Sequence, residues 1–268
     1  MRGLEEKVIV VAAGGTGASD GTSHGASIGA ATSRRLAEEG ARLVVGDLDL
    51  PAAERTVAAI EAAGGKAVAQ QFDAGDDASI KALMDRAVSE FGGIDGLHFN
   101  AMDMSAATLG VDGKHDLMTL PLDVWQRTLD VGLTGFLLAS RYALPSMLER
   151  GGGGIVCTVS GAVYVGEPIR VAYAATKTAM TAVVRHIASR WGHEGIRANA
   201  VAPGSVPGPE VWDAMPQAGR DRMMRMARSN RIGRADDIGN MVTFLLSDDG
   251  SWVTGQVIAV DGGVTMRP

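Results

Sequence analysis

Short apolar runs alternate with amphipathic stretches along most of the chain. Residues 7–13 (KVIVVAA) read as a strand and 29–40 as a helix; 41–47 (ARLVVGD) as a strand and 51–64 as a helix; 66–73 as a strand and 77–92 as a helix. The alternation continues with a strand at 94–101, a helix over 122–150 that runs into four glycines, a strand at 153–160, and a long helix at 172–192. It closes with a strand at 196–204, a helix at 235–248 and a strand at 255–263. The strands are apolar along their length, the pattern of a sheet covered on both faces. The predicted fold is α/β: a doubly wound Rossmann fold with a central parallel sheet flanked by helices and right-handed crossovers. No linker or repeat divides the chain, so residues 1–268 are read as one domain. Stretches 102–120 and 205–233 lack clear periodicity. Both follow strand ends, where ligands bind in open parallel sheets, and the second is expected to form the substrate loop.

The segment between the first strand and helix, AAGGTGASDGTSHGASIGA (12–30), has the strand–glycine–helix outline of a dinucleotide turn. Asp47 ends the second strand, where a carboxylate accepts hydrogen bonds from ribose hydroxyls and repels a 2′-phosphate. Leu48, Asp49 and Leu50 follow with no Arg or Lys, which favours NAD over NADP. Asp73, with Ala74 beside it, ends the third strand and either faces an adenine or serves as a turn residue. Asn100 and Ala101 end the fourth, as room for a ribose or as a strand-end cap.

The sharpest chemistry lies in SGAVYVGEPIRVAYAATK (160–177). Tyr173 and Lys177 are four apart and share a helix face. A lysine charge beside a phenol favours phenolate, so Tyr173 is expected to exchange a proton with an alcohol or carbonyl oxygen while hydride moves to or from a nicotinamide. Ser160 is placed to hydrogen-bond the same oxygen.

With these residues the chain resembles the short-chain dehydrogenase/reductase family, from KVIVV to VDGGVTM. The resemblance implies Ser160, Tyr173 and Lys177 as catalytic residues, with Tyr173 and Lys177 also holding the cofactor. It implies Pro203, Gly204 and Val206 beside the nicotinamide. In the glycine segment Gly29, next to Ile28, matches the family's last glycine, because LAEEGA (36–41) follows at the usual distance; the first falls at Ala13 or Gly14; and Ser27 replaces the middle one, as a helix cap whose hydroxyl is within reach of a phosphate. Residues 16–24 are extra. They form either a solvated excursion or a cover over the cofactor phosphates, with His24 as one possible contact.

The departures bear on turnover. Gly132 stands in LDVGLTG where the family has a catalytic asparagine thought to hold a water, and Met102 replaces a glycine, as pocket rim or as loop packing. The family's threonine after Pro-Gly falls at Gly208. The principal expectation is an NAD-dependent alcohol/ketone oxidoreductase. The alternatives are an NAD-binding regulatory protein with weak catalysis and, ranked below, an enoyl reductase; the latter has a Ser-Ile pair like 27–28 but a wider Tyr–Lys spacing. Tyr164, Met102, Trp212 and Met215 suggest an apolar pocket or ordinary packing. The family commonly forms tetramers through 122–150, 172–192 and the last strand, so a homotetramer is expected.

Composition narrows the remaining classes. With 46% hydrophobic residues the chain can bury a full core. A net charge of −6 gives no electrostatic reason to expect nucleic acid or an anionic membrane. No apolar run has membrane-spanning length and no secretory signal is evident. The lone Cys157, read as buried packing, fits a reducing cytoplasm. No Cys/His cluster has metal-ligand spacing, so no metal is expected.

Overall fold

Seven strands form one sheet: β1 (Val8–Ala12), β2 (Arg42–Asp47), β3 (Lys66–Gln71), β4 (Gly96–Phe99), β5 (Gly153–Thr158), β6 (Ile196–Pro203) and β7 (Val257–Val260). Their order is β3-β2-β1-β4-β5-β6-β7 and every pairing is parallel. The structure, a computed structural model, describes residues 1–16 and 27–266. The extra segment at 16–24, apart from Thr16, and His24 with it, lie outside the described residues.

The apolar strands feed two cores. Val8, Val10 and Ala12 of β1 face one cluster, and Ile9 and Val11 face the other. The first cluster packs under α3 (Asp77–Phe91), α6 (Gly135–Glu149) and α7 (Val171–Trp191), through Leu83, Phe136, Met147, Met180 and Val184. The second packs under α1 (Ile28–Glu38), α2 (Leu50–Ala62) and α10 (Ala235–Leu246), through Leu36, Ile60, Ile238 and Val242. Period-two alternation is therefore present but invisible as polarity, because both faces are buried. Cys157 of β5 is fully buried in the first cluster and burial pushes its thiol up to about 12, so it is inert packing.

Two regions differ from the expected elements. The stretch 122–150 is not one helix. It is α5 (Leu122–Leu129), a π-helical turn Asp130–Thr134, and α6. A single wider turn leaves the apolar spacing on either side nearly intact, so periodicity does not register it. The remaining helices lie in the stretches without clear periodicity: α4 (Leu109–Asp112), α8 (Pro209–Ala214) and α9 (Gln217–Met226). None of the residues of α9 is buried, so no apolar stripe marked it in the sequence.

The order of strands reverses between β1 and β4. Their carboxyl ends are tied together where Asn100 N–H donates to the Ala12 carbonyl at 3.0 Å. In a doubly wound sheet this is where a ligand crevice opens.

Candidate active site

β1 ends in a sharp turn at Ala13, whose φ is +65°. Of the two positions read for the first glycine, Ala13 holds the left-handed conformation that a glycine would favour. Its carbonyl accepts from Asn100 Nδ2 at 3.2 Å, and a Cβ on Gly29 would stand 1.9 Å from the same carbonyl oxygen. Gly29 therefore has to be glycine for α1 to start this close to β1. Gly14 N–H donates to the Gly46 carbonyl at 2.9 Å. Ser27 caps α1, its Oγ accepting from Ala30 N–H at 3.1 Å. The same hydroxyl donates its proton to the Gly15 carbonyl, so it serves the loop rather than standing free for a phosphate.

Asp47, at the end of β2, accepts from Gly15 N–H at 2.9 Å and Asp49 N–H at 3.1 Å. Burial pushes its carboxyl up, and those backbone donors offset only part of the push. Leu48 beside it is exposed. Asp73 is tied into its turn, accepting from Gly75 N–H at 2.8 Å and lying 3.8 Å from Arg127, while Ala74 and Ala101 are buried. The residues present fit a dinucleotide: a close strand–helix approach, the start of α1, a carboxylate at the second strand end and small residues at the fourth.

On the other side of the crevice, Ser160 follows β5 and its Oγ accepts from Ala162 N–H at 3.2 Å. Tyr173 and Lys177 project from the first turns of α7. The Lys177 nitrogen stands 5.8 Å from the Tyr173 ring centroid and donates to the Thr158 carbonyl at 2.7 Å. Lys177 is buried, and desolvation pushes its ammonium down to about 8. Burial pushes the Tyr173 phenol up; the Ser160 hydrogen bond and the Arg170 charge pull it back by less, and Glu167 adds a smaller push. The expected downward push from Lys177 is not part of this balance; the lysine nitrogen donates to the Thr158 carbonyl.

Two positioning residues escaped the sequence reading. Asp112 is fully buried and accepts from Ala172 N–H at 3.2 Å and Tyr173 N–H at 2.9 Å. It caps α7 from the last residue of the short helix α4, in place of Arg170, which precedes the helix at φ +63° with no side-chain cap bond. Only its position in a segment without periodicity hid it. The other is His98, fully buried on β4, with Nε2 2.9 Å from Thr158 Oγ1. Burial, and then the Lys177 charge, push it down to about 3, so it is neutral. A histidine inside the apolar run GLHF was the available signal.

Gly132 is buried within the π-helical turn. A Cβ there would lie 2.5 Å from Thr176 Cγ2 and 3.0 Å from Met102 Sδ. The missing side chain has not left a hole; a methyl and a thioether fill it. Met102 is thus packing against Gly132.

A cleft of about 720 Å³ opens beside Ser160 and Tyr173, bounded by Pro203 and Gly204. Val206 is not among its lining residues and packs by Gly233 instead. Nor do Tyr164, Met102, Trp212 or Met215 line it. The Tyr164 hydroxyl donates to the Val257 carbonyl at 2.9 Å, and Trp212 lies beneath Arg220. The apolar lining comes from Val165, Met223, Met226, Ile232, Val260 and Val264. Gly208 is the N-cap of α8.

A family model described as enoyl-(acyl carrier protein) reductase matches residues 21–265. The cis-4-hydroxycyclohexanecarboxylate dehydrogenase of Sinomonas cyclohexanicum is 37% identical over 97% of this chain and 97% of its own length. The cyclohexanol dehydrogenase of an Acinetobacter species is 34% identical over 92% of this chain and 94% of its own. A solved 7α-hydroxysteroid dehydrogenase, complexed with NADH and 7-oxo glycochenodeoxycholic acid, matches with a TM-score of 0.85 and 29% identity, over 97% of this chain and 94% of that one. Among the described residues no helix is long and apolar enough to cross a membrane, and no group of His, Cys, Asp and Glu is placed to hold a metal.

Proposed function

This chain belongs to the short-chain dehydrogenase/reductase family, and from that premise we propose that it is an NAD-dependent oxidoreductase interconverting a secondary alcohol and a ketone. Ser160 and Tyr173 lining one end of the 720 Å³ cleft, with the buried Lys177 nitrogen 5.8 Å from the Tyr173 ring, carry this reading. The relatives named for cyclohexanol and hydroxycyclohexanecarboxylate, and the hydroxysteroid enzyme solved with NADH, support both the alcohol chemistry and the cofactor.

When bound, NAD supplies the nicotinamide that accepts or returns hydride. Gly14, Gly29 and the start of α1 at Ser27–Ile28 would hold the pyrophosphate. Asp47 and Leu48 would meet the adenosine ribose, Asp73 and Ala74 the adenine, and Asn100 and Ala101 the nicotinamide-side ribose together with Tyr173 and Lys177. Pro203, Gly204 and Val206 are assigned to the nicotinamide end. The nearest cation after β2, Arg55, lies 3.7 Å from Asp49 and donates to Thr16 Oγ1 at 3.2 Å, which supports NAD over a 2′-phosphorylated cofactor. Tyr173 passes a proton to or from the substrate oxygen, Ser160 hydrogen-bonds that oxygen, and the Lys177 charge stabilises phenolate during the transfer.

Tyr173→Phe is the direct test. NAD reduction with secondary alcohols should fall by about 10²–10⁴-fold while NAD binding stays near the wild-type value. Substantial turnover in the variant would refute the assignment.

The closed gap at Gly132 supports a second reading, an NAD-binding regulatory protein with weak catalysis. A panel of secondary alcohols separates the two, since no turnover with tight NAD binding would select the second. The matched family model's description names enoyl reduction; Ser160 and the three-residue Tyr–Lys spacing favour alcohol chemistry. Assembly as a homotetramer is part of the proposal. It is supported by the half-exposed apolar edge strand β7 and by Trp252, which is 98% exposed. Light scattering on the purified chain measures it directly.

A further inference from the structure

Residues 217–234 carry six arginines and one aspartate in a chain whose net charge is −6. This is α9 and the turn leading to α10, and it forms one wall of the cleft. Met223, Met226 and Ala227 line the cleft, so that face of α9 is set by observation. At about 100° per residue, Arg222 lies on a flank of that face and Arg225 lies about 150° away from it, towards solvent. Arg228 follows the helix. Its N–H donates to the carbonyl of Gly262, another cleft residue, at 2.7 Å, which seats it at the rim.

These charges are not consumed inside the protein. Arg222, Arg225 and Arg228 have no carboxylate partner among the described residues. Arg228 Nη1 donates to the Arg225 and Met226 carbonyls at 2.7 and 3.3 Å, and its other guanidinium donors have no hydrogen-bond partner among the described residues. The acids of the cleft wall are already satisfied. Glu167 is paired with Arg170 at 2.8 Å and Asp237 with Arg231 at 2.7 Å, while Asp261 accepts from Gly263 N–H at 2.9 Å and Thr265 N–H at 2.8 Å. The cleft therefore has Ser160 and Tyr173 at one end and an apolar middle at Met223, Met226 and Ile232; the arginines that line it, Arg170 and Arg231, are paired, while Arg222 and Arg228, next in sequence to its lining residues Met223 and Ala227, have no carboxylate partner among the described residues.

We propose that the substrate is an anionic alcohol or ketone, with a carboxylate on the part of the molecule remote from the reacting carbon, and that Arg222 and Arg228 receive that carboxylate. The proposal rests on the alcohol/ketone reading above and adds to it the class of substrate. Guanidinium groups suit carboxylates because their forked donors match both oxygens. A cationic rim over low-dielectric walls also concentrates anions at the mouth.

The test compares two ketones that differ by one carboxylate, cyclohexanone and 4-oxocyclohexanecarboxylate, each with NADH. At about 0.01 M salt the wild type should show a kcat/KM at least about tenfold higher for the carboxylate, with the advantage shrinking towards 1 M salt. Arg222→Gln combined with Arg228→Gln should erase the advantage through KM and leave cyclohexanone unchanged; Arg225→Gln should preserve it. An equal kcat/KM for both ketones in the wild type, or an advantage that survives the double variant, overturns the proposal. Calorimetric titration of cyclohexanecarboxylate into the NADH-loaded protein reads the same site without turnover. Binding that weakens about tenfold in the double variant supports the anion site even where neither ketone is reduced, an outcome that would refute the alcohol/ketone reading alone. Absent binding, or binding indifferent to the two arginines, overturns the anion site.

Discussion

The two ends of the same sheet treat charge in opposite ways. At the amino end, Asp95 precedes β4 and its carboxylate accepts from Val8 N–H at 2.8 Å and from Arg150 at 2.8 and 3.0 Å, with Lys7 at 3.3 Å. Burial works against ionisation there, but Arg150, the Val8 amide and Lys7 outweigh it and hold the carboxyl below its usual range. At three groups bordering the crevice at the carboxyl end burial prevails instead. Asp47 and Tyr173 are pushed up and Lys177 is pushed down, so each is held away from its charged form. One end spends its polar groups on closing the fold; the other keeps these three only partly satisfied, as the proposed proton transfer and cofactor binding would require.

The sharpest way to break this contrast is Lys177→Met. Activity should fall by about 10²–10⁴-fold, yet the protein should become more stable. The folded pKa of about 8 lies below the ordinary lysine value of 10.5, so the folded state pays for a buried charge wherever Lys177 is protonated. The gain from removing it should be present in full below about pH 8, reach about 3 kcal/mol at most, and fade as pH rises towards 10.5. Thermal melts across that range check the sign. A destabilised variant at neutral pH would show that the bond to Thr158 matters more than the burial of the charge.

Asp95→Asn is the mirror experiment. It should leave kcat/KM within about twofold and cost about 1–2 kcal/mol at pH 7, because the buried Asp95 loses its charge-assisted bonds to Val8 and Arg150 while Arg150, 34% exposed, is partly rescued by water. The sign of the pH dependence is reversed. A carboxyl lowered in the folded state contributes its stability above the unfolded pKa and loses it as pH falls through the folded one. The difference between variant and wild type should therefore close in acid. A constant gap down to low pH would assign the loss to packing instead.

Gly132 tests how tightly the catalytic end is packed. An alanine there meets Thr176 Cγ2, a branched side chain that cannot swing away, and Met102 Sδ, on a chain that can. Gly132→Ala should cost about 1–3 kcal/mol, partly recovered by adding Met102→Ala. Asparagine at 132 faces the same obstacle, so restoring the family residue alone should not raise activity. A well-folded, faster Gly132→Asn variant would show that Thr176 and Met102 yield easily. The two departures from the family pattern, far apart in sequence, are one packing event in space.

Much of this architecture was legible because burial on both faces writes itself as continuous apolar strands, and because Ser160, Tyr173 and Lys177 lie within one short stretch. What escaped depends on relations the linear pattern does not carry. Asp112 caps α7 across 60 residues, the π-helical turn at 130–134 barely disturbs the apolar period, and α9 buries no stripe. Tyr164, Met102, Trp212 and Met215, which the sequence left between pocket and packing, do not line the cleft, since composition names a side chain without its direction. The role of Met102 became visible only through the Cβ that Gly132 lacks.

The smallest expected effect concerns backbone strain. Among the described residues three non-glycines hold positive φ; Glu6 is at the amino end, and Ala13 and Arg170 flank the crevice. At the amino end, Gly92, Gly93, Gly152 and Gly195 take this conformation before β4, β5 and β6 without a Cβ penalty. Ala13, at +65°, bears a cost of about 1–2 kcal/mol that glycine would not. Glycine also enlarges the unfolded ensemble, which removes about 0.4–1 kcal/mol of that benefit. Ala13→Gly should therefore stabilise the chain by about 0.5–1 kcal/mol. The substitution leaves the Ala13 carbonyl free to keep its bond from Asn100. If strain alone is relieved, NAD affinity should stay constant while the melting temperature rises. If the melting temperature rises but NAD dissociates faster, the alanine holds the turn in the shape the cofactor needs, and the strain at this end belongs to binding rather than to folding.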